Sequence, residues 1–167
     1  MEIPNPVVTS IFLDLLVVDT DHARDKVTCC SVTWIILLLN NTLIVWLSKQ
    51  QKTVETLTYT SELKAAQIAV DLLVEMRHKL RMLGVVLEDA SSLVGDNMAV
   101  VKNTSIPESV LAKKHNAINY HKIREAVAAG IIRIGKEDTE TNIADAFTKL
   151  MDFSRKFKLL RPFMWER

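Results

Sequence analysis

Between Cys29 and Leu47 the chain reads Cys-Cys-Ser-Val-Thr-Trp-Ile-Ile-Leu-Leu-Leu-Asn-Asn-Thr-Leu-Ile-Val-Trp-Leu, an almost unbroken apolar and β-branched stretch. Its length would suffice for a helix crossing a bilayer. Asn40 and Asn41 would then lie near mid-membrane, where polar side chains are costly. The same pair is good turn chemistry between two β-rich runs, because asparagine tolerates positive φ. The segment is therefore predicted to be a β-hairpin and not a membrane span.

The rest of the chain suits one domain of that kind. At 167 residues it is long enough for a single hydrophobic core and short for two domains. Charged residues make up 25% and apolar ones 49%, an ordinary globular balance. Lysine plus arginine is 21 against 20 acidic residues, so no strong net field selects a polyanion or a membrane. Two adjacent cysteines, Cys29 and Cys30, rule out a disulfide framework and read as strand residues in a reducing compartment. The start of the chain lacks the basic region and cleavage site of a signal peptide. An intracellular protein is expected, cytoplasmic or nuclear, neither secreted nor in a membrane.

Ile11 to Val18 is a continuous apolar run ending at Asp19, the pattern of a strand buried on both faces. After the hairpin and a polar connection, a helix is predicted from Thr58 to Leu83. Ala66, Ala69, Leu73, Met76, Leu80 and Leu83 form its apolar stripe, and Gly84 ends it. A short strand over Ser91–Val94 leads to Gly95-Asp96-Asn97. Ser105 and Pro107 are read as opening a second long helix closed by Gly130. Ile131–Ile134 is another strand, and Thr141 is expected to cap a helix from Asn142 to Leu150. This order predicts a mixed β-sheet flanked by α-helices, with residues 1–10 an N-terminal extension, 11–151 the domain and 152–167 a helical tail.

Four carboxylates stand out. Asp19 and Asp96 lie at strand ends, where open α/β sheets collect ligands. Glu62 continues the apolar stripe backward by one step, and a buried charge there needs a partner or a metal. Asp145 is in the first turn of the last helix, where an anion is tolerated. Each has a plainer explanation: a turn residue at Asp19, a helix cap at Asp96-Asn97, a dipole complement or a Lys149 partner at Asp145.

Their order and context resemble a known family. Val18-Asp19-Thr20-Asp21-His22-Ala23, Ser48-Lys49-Gln50-Gln51-Lys52-Thr53-Val54-Glu55, Ser61-Glu62-Leu63-Lys64-Ala65-Ala66, Asp96-Asn97-Met98-Ala99 and Asn142-Ile143-Ala144-Asp145-Ala146-Phe147-Thr148-Lys149 are similar, in order, to motifs of the ribonuclease H domain of copia-type retrotransposon Pol polyproteins. Lys113 to His121 and Arg124-Glu125-Ala126 resemble the helix before that family's last strand. The resemblance spans roughly Phe12 to Met151. It implies an α/β ribonuclease H-like fold and an endonuclease that cuts the RNA strand of an RNA–DNA hybrid, leaving a 5′-phosphate and a 3′-hydroxyl.

Carried over by motif, the catalytic and metal-binding set is Asp19, Glu62, Asp96 and Asp145. All-oxygen ligands suit two Mg²⁺ or Mn²⁺ ions, about 4 Å apart in sites that perform in-line displacement. Asp19 would bridge both ions, with Asp96 and Glu62 to one side and Asp145 to the other. Lys49, Lys52, Lys113, Lys114, His115, Lys122 and Arg124 are candidate phosphate partners; a solvated helix face is the plainer reading of any one of them. The tryptophans and Tyr120 read as core or edge residues. A reverse transcriptase domain in the parent polyprotein is the other implied partner, and no small-molecule cofactor is expected.

The chain departs from the family where Arg24 and Trp34 replace glycines, Gly95 a cysteine, Asp152 a proline and Cys29-Cys30 a basic pair. Arg24 and Trp34 add bulk beside the first strand and predict a disturbed site edge. An active nuclease is therefore set against a folded relic that at most binds nucleic acid or a partner protein.

Overall fold

The computed structural model describes residues 15–21, 27–40, 42–87, 89–109, 116–138, 140–149 and 151–163. Five strands form one mixed sheet in the order β3-β2-β1-β4-β5: β1 (Leu15–Asp21), β2 (Val32–Leu39), β3 (Thr42–Gln50), β4 (Ser91–Gly95) and β5 (Ile132–Lys136). β1–β2 and β2–β3 pair antiparallel, whereas β1–β4 and β4–β5 pair parallel.

The apolar segment forms the hairpin β2–β3, turning at Asn40 with φ 48°. Its apolarity has a local cause, since β2 is covered on both faces. Ile35 and Leu37 join the core under the first helix, and Ile36 and Leu38 join a second core on the other face. No helix of the described residues is long and apolar enough to cross a membrane. β3 is an edge strand, and Trp46 on it is 70% exposed.

The helix α1 (Thr58–Met82) lays Glu62, Ala66, Ala69 and Leu73 against the sheet, all buried. The stripe then lifts away, with Met76 and Leu80 half-buried and Leu83 exposed. Gly84 takes φ 80°, the left-handed conformation that ends a helix. Buried Arg77 is a feature the stripe did not reveal. Its guanidinium donates to the Asp89 carbonyl (2.9 Å) and the Ser91 hydroxyl (2.8 Å), tying α1 to the start of β4.

Three expectations are corrected. Ser105 does not open a long helix; it is the last residue of a short one, α2 (Met98–Ser105). Pro107 disfavours the α conformation at the residue before it, and Ile106 is extended (φ −87°, ψ 119°), so the chain turns there. The next helix, α3 (Ala117–Ala128), is shorter than expected and is closed by Gly130 at φ 66°. Cys29 and Cys30 precede β2 and do not belong to it, and Cys29 is exposed with φ 54°.

The third correction concerns Thr141. Its hydroxyl donates to the Glu137 carboxylate and the Asp138 carbonyl, and the cap-like contact comes from Asn142, whose Oδ1 accepts from the Ala144 amide at 3.0 Å. The helix that follows, α4 (Asp145–Thr148), is a single turn. Asp152, where the family has proline, caps α5 (Phe153–Leu160) by accepting from the Ser154 amide.

Candidate active site

Strand alternation sorts the acidic residues by face. Val18 and Thr20 point toward α1, and Asp19 points the other way, beside its register partner Trp34. Asp19 lies within β1, not past its end. It is buried (1% exposed) at the centre of the sheet. Asp96 follows the last residue of β4, the parallel neighbour of β1, and is half-buried. Its position is set by the next residue, because the Asn97 side chain accepts from the Ala99 and Val100 amides and so starts α2 there. Asp145 opens α4 on the Asp19 face and is fully buried (0%).

Three separate elements thus bring Asp19, Asp96 and Asp145 together, with one carboxylate oxygen from each lying within 4.8 Å of the others. Among the described residues this is the group of metal-ligating type that converges. Glu62 stands beside it but not in it. Its Oε1 accepts from the Thr20 hydroxyl at 2.7 Å, on the α1 side. Burial first, then the charges of Asp19 and Asp96, push the Glu62 carboxyl up to about 8 against the pull of that hydrogen bond. A small, largely apolar cavity adjoins it, lined by Val18, Ala66, Leu93 and Val100.

Lys149, four residues after Asp145, enters the cluster and does more than pair along the helix. Its Nζ lies 2.8 Å from each oxygen of Asp145 and 3.8 Å from Asp96 Oδ2. Burial opposes its charge, but the three aspartates prevail and hold its pKa above the ordinary lysine value. Trp34 is accommodated: β1–β2 pairing runs unbroken past it, and its ring stacks on Phe147 of α4 at 5.5 Å. Its indole N–H is buried with no hydrogen-bond partner among the described residues. Arg24 lies outside the described residues.

The described basic candidates are divided between the β3 region and α3. Lys49 and Lys52 are exposed, on β3 and just after it. Lys122 is ion-paired with Asp71 of α1. Arg124 donates to the carbonyls of Pro107 and Ser109 and lies over the Tyr120 ring, which ties the turn after α2 to α3. Lys113, Lys114 and His115 lie outside the described residues. Tyr120 is a core residue, 2% exposed.

No protein-family model matches the chain. It is 28% identical over 149 residues to the Retrovirus-related Pol polyprotein from transposon RE2 of Arabidopsis thaliana, an alignment covering 86% of this chain and 10% of that protein. To the Retrovirus-related Pol polyprotein from transposon RE1 of the same plant it is 30% identical over 131 residues, covering 78% and 9%. The chain thus spans about a tenth of the length of these curated relatives.

Among solved structures, the N-terminal RNase H domain of rv2228c from Mycobacterium tuberculosis superposes with a TM-score of 0.58 at 13% identity, covering 81% of this chain and 88% of that one. RNase H1 from the archaeon Halobacterium salinarum superposes with a TM-score of 0.57 at 12% identity, covering 78% and 89%. At such identities these two likenesses bear on the fold, and the Pol polyproteins bear on ancestry. The chain is a ribonuclease H-fold homologue of retrovirus-related transposon Pol polyproteins.

Proposed function

We propose that this chain is the ribonuclease H domain of a copia-type Pol polyprotein and cuts the RNA strand of RNA–DNA hybrids with the help of two Mg²⁺ or Mn²⁺ ions. The observation that carries the reading is the convergence of Asp19, Asp96 and Asp145 from β1, the end of β4 and α4 at one point of a ribonuclease H fold. The donor set fits such ions. All three ligands are carboxylates, the hard oxygen donors these cations prefer. Two of them, Asp19 and Asp145, are buried, which fixes their oxygens at the cluster.

Asp19, Asp96 and Asp145 would hold the ions, with Glu62 alongside. A cation nearby would bring Glu62 to its ionised form, since a bound ion is the largest local charge and inverts the effect of burial. Bound there, the ions would supply Lewis-acid charge and an activated water for in-line displacement. The β1–β4 frame would hold Asp19 and Asp96 for the ions, so that little reorganisation of these two is needed. Among the described candidates for phosphate contact, Lys49 and Lys52 are exposed, whereas Lys122 pairs with Asp71 and Arg124 is bonded to the turn after α2. Recognition of a hybrid would rest on shape and 2′-hydroxyls, not on base reading. The rest of the polyprotein, a reverse transcriptase domain included, would supply further grip on the duplex.

The test is cleavage of an end-labelled RNA–DNA hybrid in Mg²⁺ and in Mn²⁺, with Asp96→Asn alongside. Metal-dependent cutting of the RNA strand that falls below detection in the variant is expected. A folded wild-type protein that leaves the hybrid intact would overturn the reading and mark the chain as a fold kept without its chemistry.

A further inference from the structure

Resting on the metal reading above, we propose that Lys149 is a resident counter-ion of the carboxylate cluster, docked where positive charge is needed and displaced when a divalent cation binds. The geometry carries the argument. Lys149 Nζ donates to both oxygens of Asp145, each at 2.8 Å, and Asp145 Oδ1 also accepts from Asn142 Nδ2 at 3.2 Å. The most deeply buried carboxylate of the cluster therefore already has donors on both oxygens. A cation taking Asp145 as a ligand would stand within a few ångströms of the ammonium, and the repulsion between the two positive charges favours withdrawal of Lys149.

Local structure makes that exchange available. α4 is one turn long, and Lys149 stands just past it in an extended conformation (φ −106°, ψ 142°). Its side chain is 44% exposed, in contrast to the fully buried side chain of Asp145. The ammonium can withdraw to water by rotation of its stem, without unfolding the turn that holds Asp145. A single positive charge facing three carboxylates leaves a negative remainder, which a divalent ion neutralises better. In the cation's absence, Lys149 limits the mutual repulsion of the cluster.

A residue that merely orients Asp145 for metal would behave in the opposite way, since removing it would weaken binding. The experiment is Mn²⁺ titration by calorimetry of the wild type and Lys149→Met, together with melting of both in EDTA. Lys149→Met is expected to bind Mn²⁺ about 10-fold more tightly and to melt lower than wild type in EDTA, with the gap closing at saturating Mn²⁺. Lys149→Arg, which keeps the charge, serves if the methionine variant does not fold. Its affinity should equal or fall below that of the wild type, and tighter binding would overturn the proposal. If the wild type binds Mn²⁺ and Lys149→Met binds equally or less well, the counter-ion role fails while the metal reading stands. If neither protein takes up Mn²⁺, both fail.

Discussion

Glu62 sits on α1 with its carboxylate against Thr20, and burial together with the charges of Asp19 and Asp96 raises its pKa to about 8. In an unfolded chain the same group titrates near 4.5. The sign of the linkage follows. A group that binds its proton more tightly when folded contributes its full stability below the unfolded value and loses it as pH rises through the folded one. In EDTA, melting temperature should therefore fall between pH 5 and pH 8, by the equivalent of about 2–4 kcal/mol. Glu62→Gln should flatten that slope, and thermal denaturation across the range checks it; an unchanged slope would mean Glu62 is ionised in the folded protein. Sequence periodicity made this burial legible, because Glu62 lies on the phase of Ala66, Ala69 and Leu73. Its bond to Thr20 was not legible, since nothing in α1 says which strand residue will face it. Lys149 shows the same limit, as a residue that was visible only as a neighbour of Asp145 along a helix.

At the level of elements, short helices decide where the aspartates stand. Asn97 starts α2 by accepting from two backbone amides, and Asp96 is held between that cap and the end of β4. Asn97→Ala should cost about 1 kcal/mol in urea denaturation. It should also weaken Mn²⁺ binding, because the chain around Asp96 loses its anchor. Unaltered Mn²⁺ affinity would show that β4 alone places Asp96. The long, periodic elements were readable from the sequence: the β2–β3 hairpin from its apolar runs and asparagine turn, α1 from its stripe. The region after β4 differs from the sequence expectation because a helix of α2's length carries too little periodicity to announce itself. Proline suits the first turn of a helix, but the constraint of Pro107 on Ile106 makes it a stop. Arg77 offers a further check. It joins α1 to the start of β4, and Arg77→Met should destabilise by about 2–3 kcal/mol by leaving the Asp89 carbonyl and Ser91 hydroxyl without their donor.

For the molecule as a whole, one core lies between the sheet and α1 and α3. A smaller one lies on the opposite face, around Ile36, Leu38 and Ala144, with Phe147 packed on it. The aspartate cluster bridges the sheet and the α4 side, so a ligand binding there should stabilise the folded state globally. At Mn²⁺ about 100 times its Kd the gain should be about 2.7 kcal/mol, or roughly 5–10 °C in Tm. EDTA should reverse it, and Asp96→Asn should lack most of it. A melting curve indifferent to Mn²⁺ would count against metal binding by the native state.

What the sequence determined by itself is local: apolar runs that must be strands, an asparagine turn, a helical stripe, and carboxylates at strand and helix ends in a recognisable order. These follow from backbone periods and turn chemistry, which act over a few residues. Only the tertiary structure decided that β1 lies between β2 and β4, that Asp19, Asp96 and Asp145 meet while Glu62 turns to Thr20, and that Lys149 closes the cluster. Those outcomes depend on contacts between residues far apart in the chain, and the packing of both cores selects them together.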